Sequence, residues 1–160
     1  MTRWLDDEEL QAWLRLAGVM LKLGPALDSQ LQRDSDLTHF DYLVLAMLSE
    51  HDDRTMRMSQ LANRTNASLS RLSHVVKKLE ERGWVVRSPC ESSRRVTMAT
   101  LTDDGYDVLV KAAPGHVETV RSLVFDGLDP ADVRHLEKIA GNILTRVEAS
   151  RLTRPFDARG

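Results

Sequence analysis

The chain has 160 residues, of which 42% are hydrophobic and 29% are charged, and its net charge is −2. That composition is typical of a single globular domain and excludes a disordered or membrane-embedded chain. No stretch reaches the ~18 apolar residues of a transmembrane span, and one cysteine cannot form an internal disulfide framework. The sequence therefore predicts a cytoplasmic protein with no membrane partner.

The first predicted helix runs from about Asp6 to Leu31. It opens with Asp6 and Glu9 in the pattern of a capping box, and its apolar residues recur with a 3.6-residue period. Pro25 is expected to kink it. Because so wide an apolar stripe at a chain end needs a cover, a second copy of the chain is the natural candidate.

A second capping box, Thr38 with Asp41, begins the next predicted helix. After a polar loop, Met56–Met58 is predicted as a short strand, and Ser59 is expected to cap a short helix that ends near Arg64. These elements lead into the basic part of the chain.

The following helix is predicted over residues 68–82. Either Ser68 or Asn66 can cap its start, and Gly83 is expected to stop it in the position after the C-cap. Its predicted packing face is Leu69, Leu72, Val76 and Leu79.

A hairpin is predicted next, because Trp84–Arg87 and Arg95–Leu101 are rich in β-formers and the polar loop Ser88–Ser93 joins them. Thr102 then begins a helix that Pro114-Gly115 is expected to bend or break. A last helix follows Asp129-Pro130, which has proline at its first position, and shows an apolar spacing close to 3.5 residues.

Charge is distributed unevenly along these elements: residues 1–53 carry −7, residues 54–95 carry +7 and residues 96–160 carry −2. A basic block in an acidic chain is typical of a protein that binds a polyanion, although an uneven solvated surface would give the same count. The order of elements favours the first interpretation. Short helix, tight turn, longer helix and hairpin over residues 59–101 are the order of a winged helix-turn-helix in a mainly α fold with a small β-hairpin wing.

The helix over 68–82 would be the recognition helix, apolar on one face and polar and basic on the other. Its polar face offers Ser68, Ser70, Arg71, Ser73, His74, Lys77 and Lys78. Hydroxyl residues near a helix start allow close approach to phosphates, an arginine can donate two hydrogen bonds to guanine, and the lysines can neutralise phosphates. The predicted hairpin tip adds three arginines suited to the narrow minor groove, namely Arg87, Arg94 and Arg95.

Four stretches follow one another along this part of the chain: Met58-Ser59-Gln60-Leu61-Ala62, the run SRLSHVVKKLEERGWV from Ser70 to Val85, Ser93-Arg94-Arg95, and Leu101-Thr102-Asp103-Asp104-Gly105. Together they resemble the MarR family of bacterial transcription regulators. The flanking helices also fit, so the resemblance covers residues 5–148.

The resemblance implies one MarR-like domain over residues 1–160, with a winged helix-turn-helix at 38–104 and a frayed tail at 151–160. Flanking helices at 5–36 and 115–150 would form a homodimer. The implied partner is double-stranded DNA with a palindromic operator, bound as a repressor and released by a small-molecule or oxidative signal. The family's effector pocket would fall on Trp13, Ala17, His39, Phe40 and Leu43, each of which could instead be an ordinary core residue.

Other candidate sites are weaker. Cys90 in the wing is either a redox switch, because its oxidation would move the DNA contacts, or an incidental cysteine. The five histidines lack metal-ligand spacing, and no nucleophile or phosphate-loop motif occurs, so the sequence predicts no metal, no cofactor and no enzyme. A winged-helix module that binds an acidic protein remains the alternative function.

Overall fold

The computed structural model describes residues 1–150, and the tail predicted at residues 151–160 lies outside them. The chain divides into two compact units, Met1–Thr119 and Val120–Gly160. The first unit contains α1 (Asp7–Ser35), α2 (His39–Ser49), β1 (Thr55–Arg57), α3 (Met58–Arg64), α4 (Leu69–Glu81), β2 (Val85–Cys90), β3 (Ser93–Leu101) and α5 (Asp103–Val120, all but its last residue). The second contains a π-helical turn, Arg121–Phe125, and α6, Pro130–Ala149.

The three strands form one antiparallel sheet in the order β1-β3-β2. β2 and β3 make the wing, and β1 adds a short third strand in which Met56 lies opposite Ala99. The predicted fold class, mainly α with a small β wing after a helix-turn-helix, is confirmed. The core of this unit is formed by fully buried side chains from its helices and strands, among them Leu45, Leu48, Leu61, Leu72, Val76, Leu79 and Val85.

Helix starts follow the local sequence. Asp6 accepts a hydrogen bond from the backbone N–H of Glu9 at 2.8 Å, and Asp41 accepts one from the N–H of Thr38 at 2.9 Å, so both predicted capping boxes form. Ser68, rather than Asn66, caps α4 by accepting from the N–H of Arg71. α4 therefore begins on a side-chain cap that uses the Ser68 hydroxyl.

The stretch Leu101-Thr102-Asp103-Asp104-Gly105 ties the end of α4 to the start of α5. The Thr102 hydroxyl donates to the carbonyl of Gly83 at 2.7 Å and accepts from the N–H of Gly105 at 3.0 Å. Gly83 has φ +76°, which glycine adopts readily after a helix. A Cβ on Gly105 would lie 2.2 Å from the Trp84 carbonyl oxygen, so this position admits no side chain without displacement of the backbone.

Three local predictions, two at the start of α3 and one in the wing, are wrong. Met58 begins α3 instead of ending a strand, and Ser59 lies inside the helix with no side-chain cap at its start. The predicted loop Ser88–Ser93 shrinks to the turn Glu91-Ser92, because strand pairing continues until Cys90 faces Ser93. Pro89 is tolerated there because β2 is an edge strand.

Of the two outcomes expected at Pro114-Gly115, a bend or a break, the break does not occur. α5 continues through both residues to Val120, so the start of the predicted dimerisation segment 115–150 falls inside a helix. Buried Ala112 and His116 lie on either side of Pro114, so the packed face of α5 continues past the proline. Pro25, which was expected to kink the first helix, lies inside α1 as predicted from the sequence.

Candidate nucleic-acid interface

The outward face of α4 carries three side chains with no internal role. Ser70, His74 and Lys77 lie opposite the buried side of the helix, and each is exposed. Within residues 1–150 none of the three has a side-chain hydrogen bond or an ion pair. This face combines a hydroxyl, an imidazole and an ammonium group over two helical turns, which suits base edges and phosphates in a major groove.

One flank of α4 contacts the start of α2. The guanidinium carbon of Arg71 lies 4.3 Å from the centroid of the Phe40 ring, a cation–π contact. One residue further along α2, Asp41 pairs with Lys78, whose Nζ lies 2.7 Å from Oδ2. Only 1% of the Asp41 side chain is exposed. Two residues that the sequence assigns to DNA are thus held by consecutive residues of α2.

The other flank faces the wing. Glu80 accepts hydrogen bonds from the backbone N–H of Arg87 at 3.0 Å and from its Nη2 at 2.8 Å. These bonds hold the pKa of Glu80 below its usual range, with the backbone bond contributing most. Arg87 lies opposite Ala99 in the sheet, several residues before the turn, so its predicted place at the wing tip is wrong.

Arg94 and Arg95 do lie at the wing tip, in the first residues of β3, and both are exposed. Neither has an ion pair in the part of the chain that the structure describes. Cys90 lies across the turn, with Sγ 3.2 Å from the Ser92 hydroxyl. Hydrogen bonds with Ser92 lower the pKa of the Cys90 thiol. The free charge of the wing is therefore at its tip.

A cleft of about 290 Å³ opens between α4 and the wing. It is lined by Met58, Ser59, Leu69, Ser73, Arg87, Arg95, Val96 and Thr97. Leu69 was predicted to pack in the core, but it lies in this cleft with 53% of its surface exposed. It is the first residue of α4, and the start of α3 and the wing line the same cleft without covering it.

The five predicted effector residues differ in exposure. Phe40 belongs to the buried core beneath Arg71, and Ala17, His39 and Leu43 are half-buried. Trp13 on α1 is 50% exposed. The five side chains therefore range from buried to exposed.

Sequence reasoning gave no role to His116, which the structure buries on α5. Its ring centroid lies 4.2 Å from that of Tyr42 and 5.4 Å from that of His39. Burial, and then the charge of His39, lower the pKa of His116. Its spacing from Leu109 and Ala112, which are also buried, is the helical periodicity that could have placed it inside.

Two other site classes find no support in residues 1–150. No three His, Cys, Asp or Glu side chains there are grouped so that they could hold a metal ion. None of the helices in this range combines the length and apolar character needed to cross a membrane.

The sequence model of the MarR family matches residues 37–97. The structure resembles the crystal structure of Sco3205, a MarR family transcriptional regulator from Streptomyces coelicolor in complex with DNA, with a TM-score of 0.90, 41% identity and 94% of each chain covered. It also resembles AbsC, a MarR family regulator from the same organism, with a TM-score of 0.87, 40% identity and coverage of 93% of this chain and 100% of that one. The transcriptional regulator PecS of Dickeya dadantii is 27% identical over 140 residues, which span 87% of this chain and 83% of PecS.

Proposed function

The chain belongs to the MarR family, and we propose that it is a homodimeric repressor that binds a palindromic operator and is released by a small-molecule or oxidative signal. Family membership makes it a DNA-binding transcription regulator and not an enzyme. The observation that carries the proposal is the free outer face of α4, formed by Ser70, His74 and Lys77, with the unpaired arginines of the wing tip beside it.

In the proposed complex α4 enters the major groove. Residues near its N-terminus, Ser70, Arg71, Ser73 and His74, read base edges or approach the backbone, since this end of a recognition helix contacts the bases. Lys77 neutralises a phosphate and supplies affinity without sequence preference. Arg94 and Arg95 enter the adjacent minor groove, whose negative potential attracts arginine.

In this proposal, three other residues that were predicted to contact DNA act on the protein structure and do not touch DNA directly. Ser68 caps α4, Lys78 is paired with Asp41, and Arg87 is held by Glu80. The ion pairs of Lys78 and Arg87 fix the position of α4 relative to α2 and to the wing, whereas the Ser68 hydroxyl fixes the start of α4 itself. We therefore assign positioning roles to them.

A second copy of the chain is proposed to cover two apolar surfaces, within the predicted dimerisation segments 5–36 and 115–150. α1 exposes Leu10, Trp13, Leu14, Val19, Met20 and Leu21, and α6 exposes Leu136, Ile139, Ile143, Leu144 and Val147. Apolar surface of this extent on a globular protein marks an interface. A two-fold dimer would present two copies of α4 to half-sites about one helical turn apart, which is why a palindrome is expected.

The oligomeric state is tested by sedimentation velocity. Ile139→Glu with Ile143→Glu should convert a wild-type dimer to a monomer, because two buried carboxylates would face the partner. Lys138→Glu on the same helix is the matched charge control and should remain dimeric. A wild-type chain that sediments as a monomer at micromolar concentration would contradict the dimer.

The proposed signal acts on the cytoplasmic protein through one of two sites. Trp13, Ala17, His39, Phe40 and Leu43 are the candidate contacts for a small molecule. Cys90 is the candidate for an oxidative signal, because its lowered pKa favours the reactive thiolate.

The function is tested by selection of bound duplexes from a random DNA pool, followed by fluorescence anisotropy titrations over a range of salt concentrations. Sequence-specific binding to an operator predicts one recovered palindrome, bound about 10³-fold or more tighter than random DNA. A protein-interaction module predicts salt-sensitive binding with no recovered sequence. The second outcome would contradict the proposed function.

A further inference from the structure

Leu69 is an exposed leucine in the middle of a DNA-binding surface. It is the first residue of α4, and 53% of its surface is open to solvent. The packing of α4 does not need it, because Leu72, Val76 and Leu79 already form a fully buried face. The fold therefore leaves this side chain available for another contact.

The surroundings of Leu69 suit nucleic acid. The cleft that it lines has hydrogen-bonding groups from Ser59, Ser73 and Thr97, together with the Arg95 guanidinium, which has no ion pair in residues 1–150. Its other lining residues are the apolar Met58 and Val96 and Arg87, which is paired with Glu80. No carboxylate lines this cleft. Such a mixture of hydroxyls and positive charge is complementary to a DNA strand that passes between a recognition helix and a wing.

An isobutyl group in such a cleft has one specific apolar partner in the major groove. Phosphates and most base edges are polar, whereas the 5-methyl group of thymine is apolar and is read by apolar side chains. Residues at the start of a recognition helix are the ones that reach base edges. Leu69 satisfies both conditions, since it lies in the first turn of α4 on the flank shared with Ser73.

We propose that Leu69 is a specificity-determining residue that reads the 5-methyl group of one thymine in each operator half-site. The inference rests on the proposed function, because it requires α4 to enter the major groove. It adds a base identity to that function: the half-site should contain a required thymine next to the bases that Ser70 and Arg71 approach.

The test uses the operator selected by the wild-type chain. Each thymine is replaced in turn, in both half-sites, by deoxyuridine, which keeps the base pair and removes only the methyl group. Burial of one methyl group corresponds to about fourfold in affinity per half-site, or about fifteenfold for both. One thymine position should show this loss with the wild-type chain, and Leu69→Ala should bind the thymine and deoxyuridine duplexes equally.

Two variants control for fold and for general surface effects. Leu69→Met keeps an apolar side chain of similar reach and should retain the sensitivity to the methyl group. Val86→Ala removes a comparably exposed apolar side chain on β2, away from the cleft, and should leave every thymine response unchanged. Thermal unfolding followed by circular dichroism checks that Leu69→Ala remains folded.

The outcomes separate the inference from the function on which it rests. If an operator is selected but Leu69→Ala keeps the full methyl response, or weakens binding to all duplexes equally, Leu69 does not read thymine and the inference is overturned. Equal weakening would indicate contact with the sugar-phosphate backbone. A wild-type chain that selects no sequence would overturn both the proposed function and the inference.

Discussion

Lys78 and Asp41 form an ion pair between the recognition helix and the buried start of α2, with 2.7 Å between Nζ and Oδ2. The same carboxylate oxygen accepts the backbone N–H of Thr38 at 2.9 Å, so it serves the helix cap and the ion pair together. The adjacent Lys77 is exposed and has no ion pair in residues 1–150. Two neighbouring lysines therefore have different physical roles.

We expect Lys78→Ala to lower the free energy of unfolding by about 2 kcal/mol, because it leaves a buried carboxylate without its counter-charge. Urea unfolding monitored by circular dichroism measures this. Lys77→Ala is the matched control and should change stability by less than about 0.5 kcal/mol.

In DNA binding the order of the two effects should be reversed, with Lys77 important and Lys78 not. Lys77→Ala should weaken binding to all duplexes and reduce the slope of log affinity against log salt by about one, because one phosphate contact is lost. Lys78→Ala should leave that slope within error of the wild type at temperatures where the variant is folded. A larger slope change for Lys78 than for Lys77 would contradict the assignment.

Arg71 and Phe40 make a second contact across the same flank. Arg71→Ala should cost about 1–3 kcal/mol on the selected operator and relax the base preference at one position. Phe40→Leu removes only the ring that orients the guanidinium and should cost less, about 0.5–1 kcal/mol, with the same preferred bases. Binding titrations of the two single variants and the double variant decide: purely additive losses would show that the stacking does not position Arg71.

Local signals were enough to predict much of the fold. The capping boxes at Asp6 and Thr38, and the stop at Gly83, depend on residues within one helical turn, and each is present in the structure. Strand ends were predicted less well, because cross-strand pairing extends β2 to Cys90 beyond the point where β-forming residues stop.

The fate of individual charges and apolar groups could not be predicted from periodicity. Lys77 and Lys78 are equivalent in sequence, and only the buried Asp41 of α2 distinguishes them. Leu69 has correct helical spacing from Leu72, yet it lines an open cleft beside α3 and the wing and stays half exposed. Such assignments depend on contacts between elements distant in sequence.

Gly105 should tolerate no side chain. Gly105→Ala places a Cβ 2.2 Å from the Trp84 carbonyl oxygen, and the resulting backbone shift is expected to cost about 3 kcal/mol or more. Gly127→Ala is the control, since no atom lies within 4 Å of its added Cβ, and it should be nearly neutral. Midpoints of urea unfolding compare the two, and a stable Gly105→Ala protein would refute the close approach.

Acidification should destabilise the protein through His116. Burial lowers the pKa of His116 in the folded state, whereas the unfolded chain takes up the proton near pH 6.5. The unfolded state therefore binds more protons in this range, and the free energy of unfolding should fall as pH drops below about 6.5. Above that pH the contribution is constant.

His116→Gln should flatten this dependence between about pH 7 and pH 5, measured by urea unfolding at each pH. His74→Gln removes an exposed histidine and should keep the wild-type profile. Identical profiles for the wild type and His116→Gln would show that the buried ring does not set the response.

The turn from His39 to Tyr42 is touched from two directions. Two of its side chains hold Arg71 and Lys78 on α4, and the other two contact His116 on α5. Arg71 on α4 and His116 on α5 are thus connected through four residues, 39–42, that are consecutive in the gene. In a genetic screen, alleles of this turn should show epistasis with alleles in both helices, and suppressors of a defective recognition helix should arise in α5.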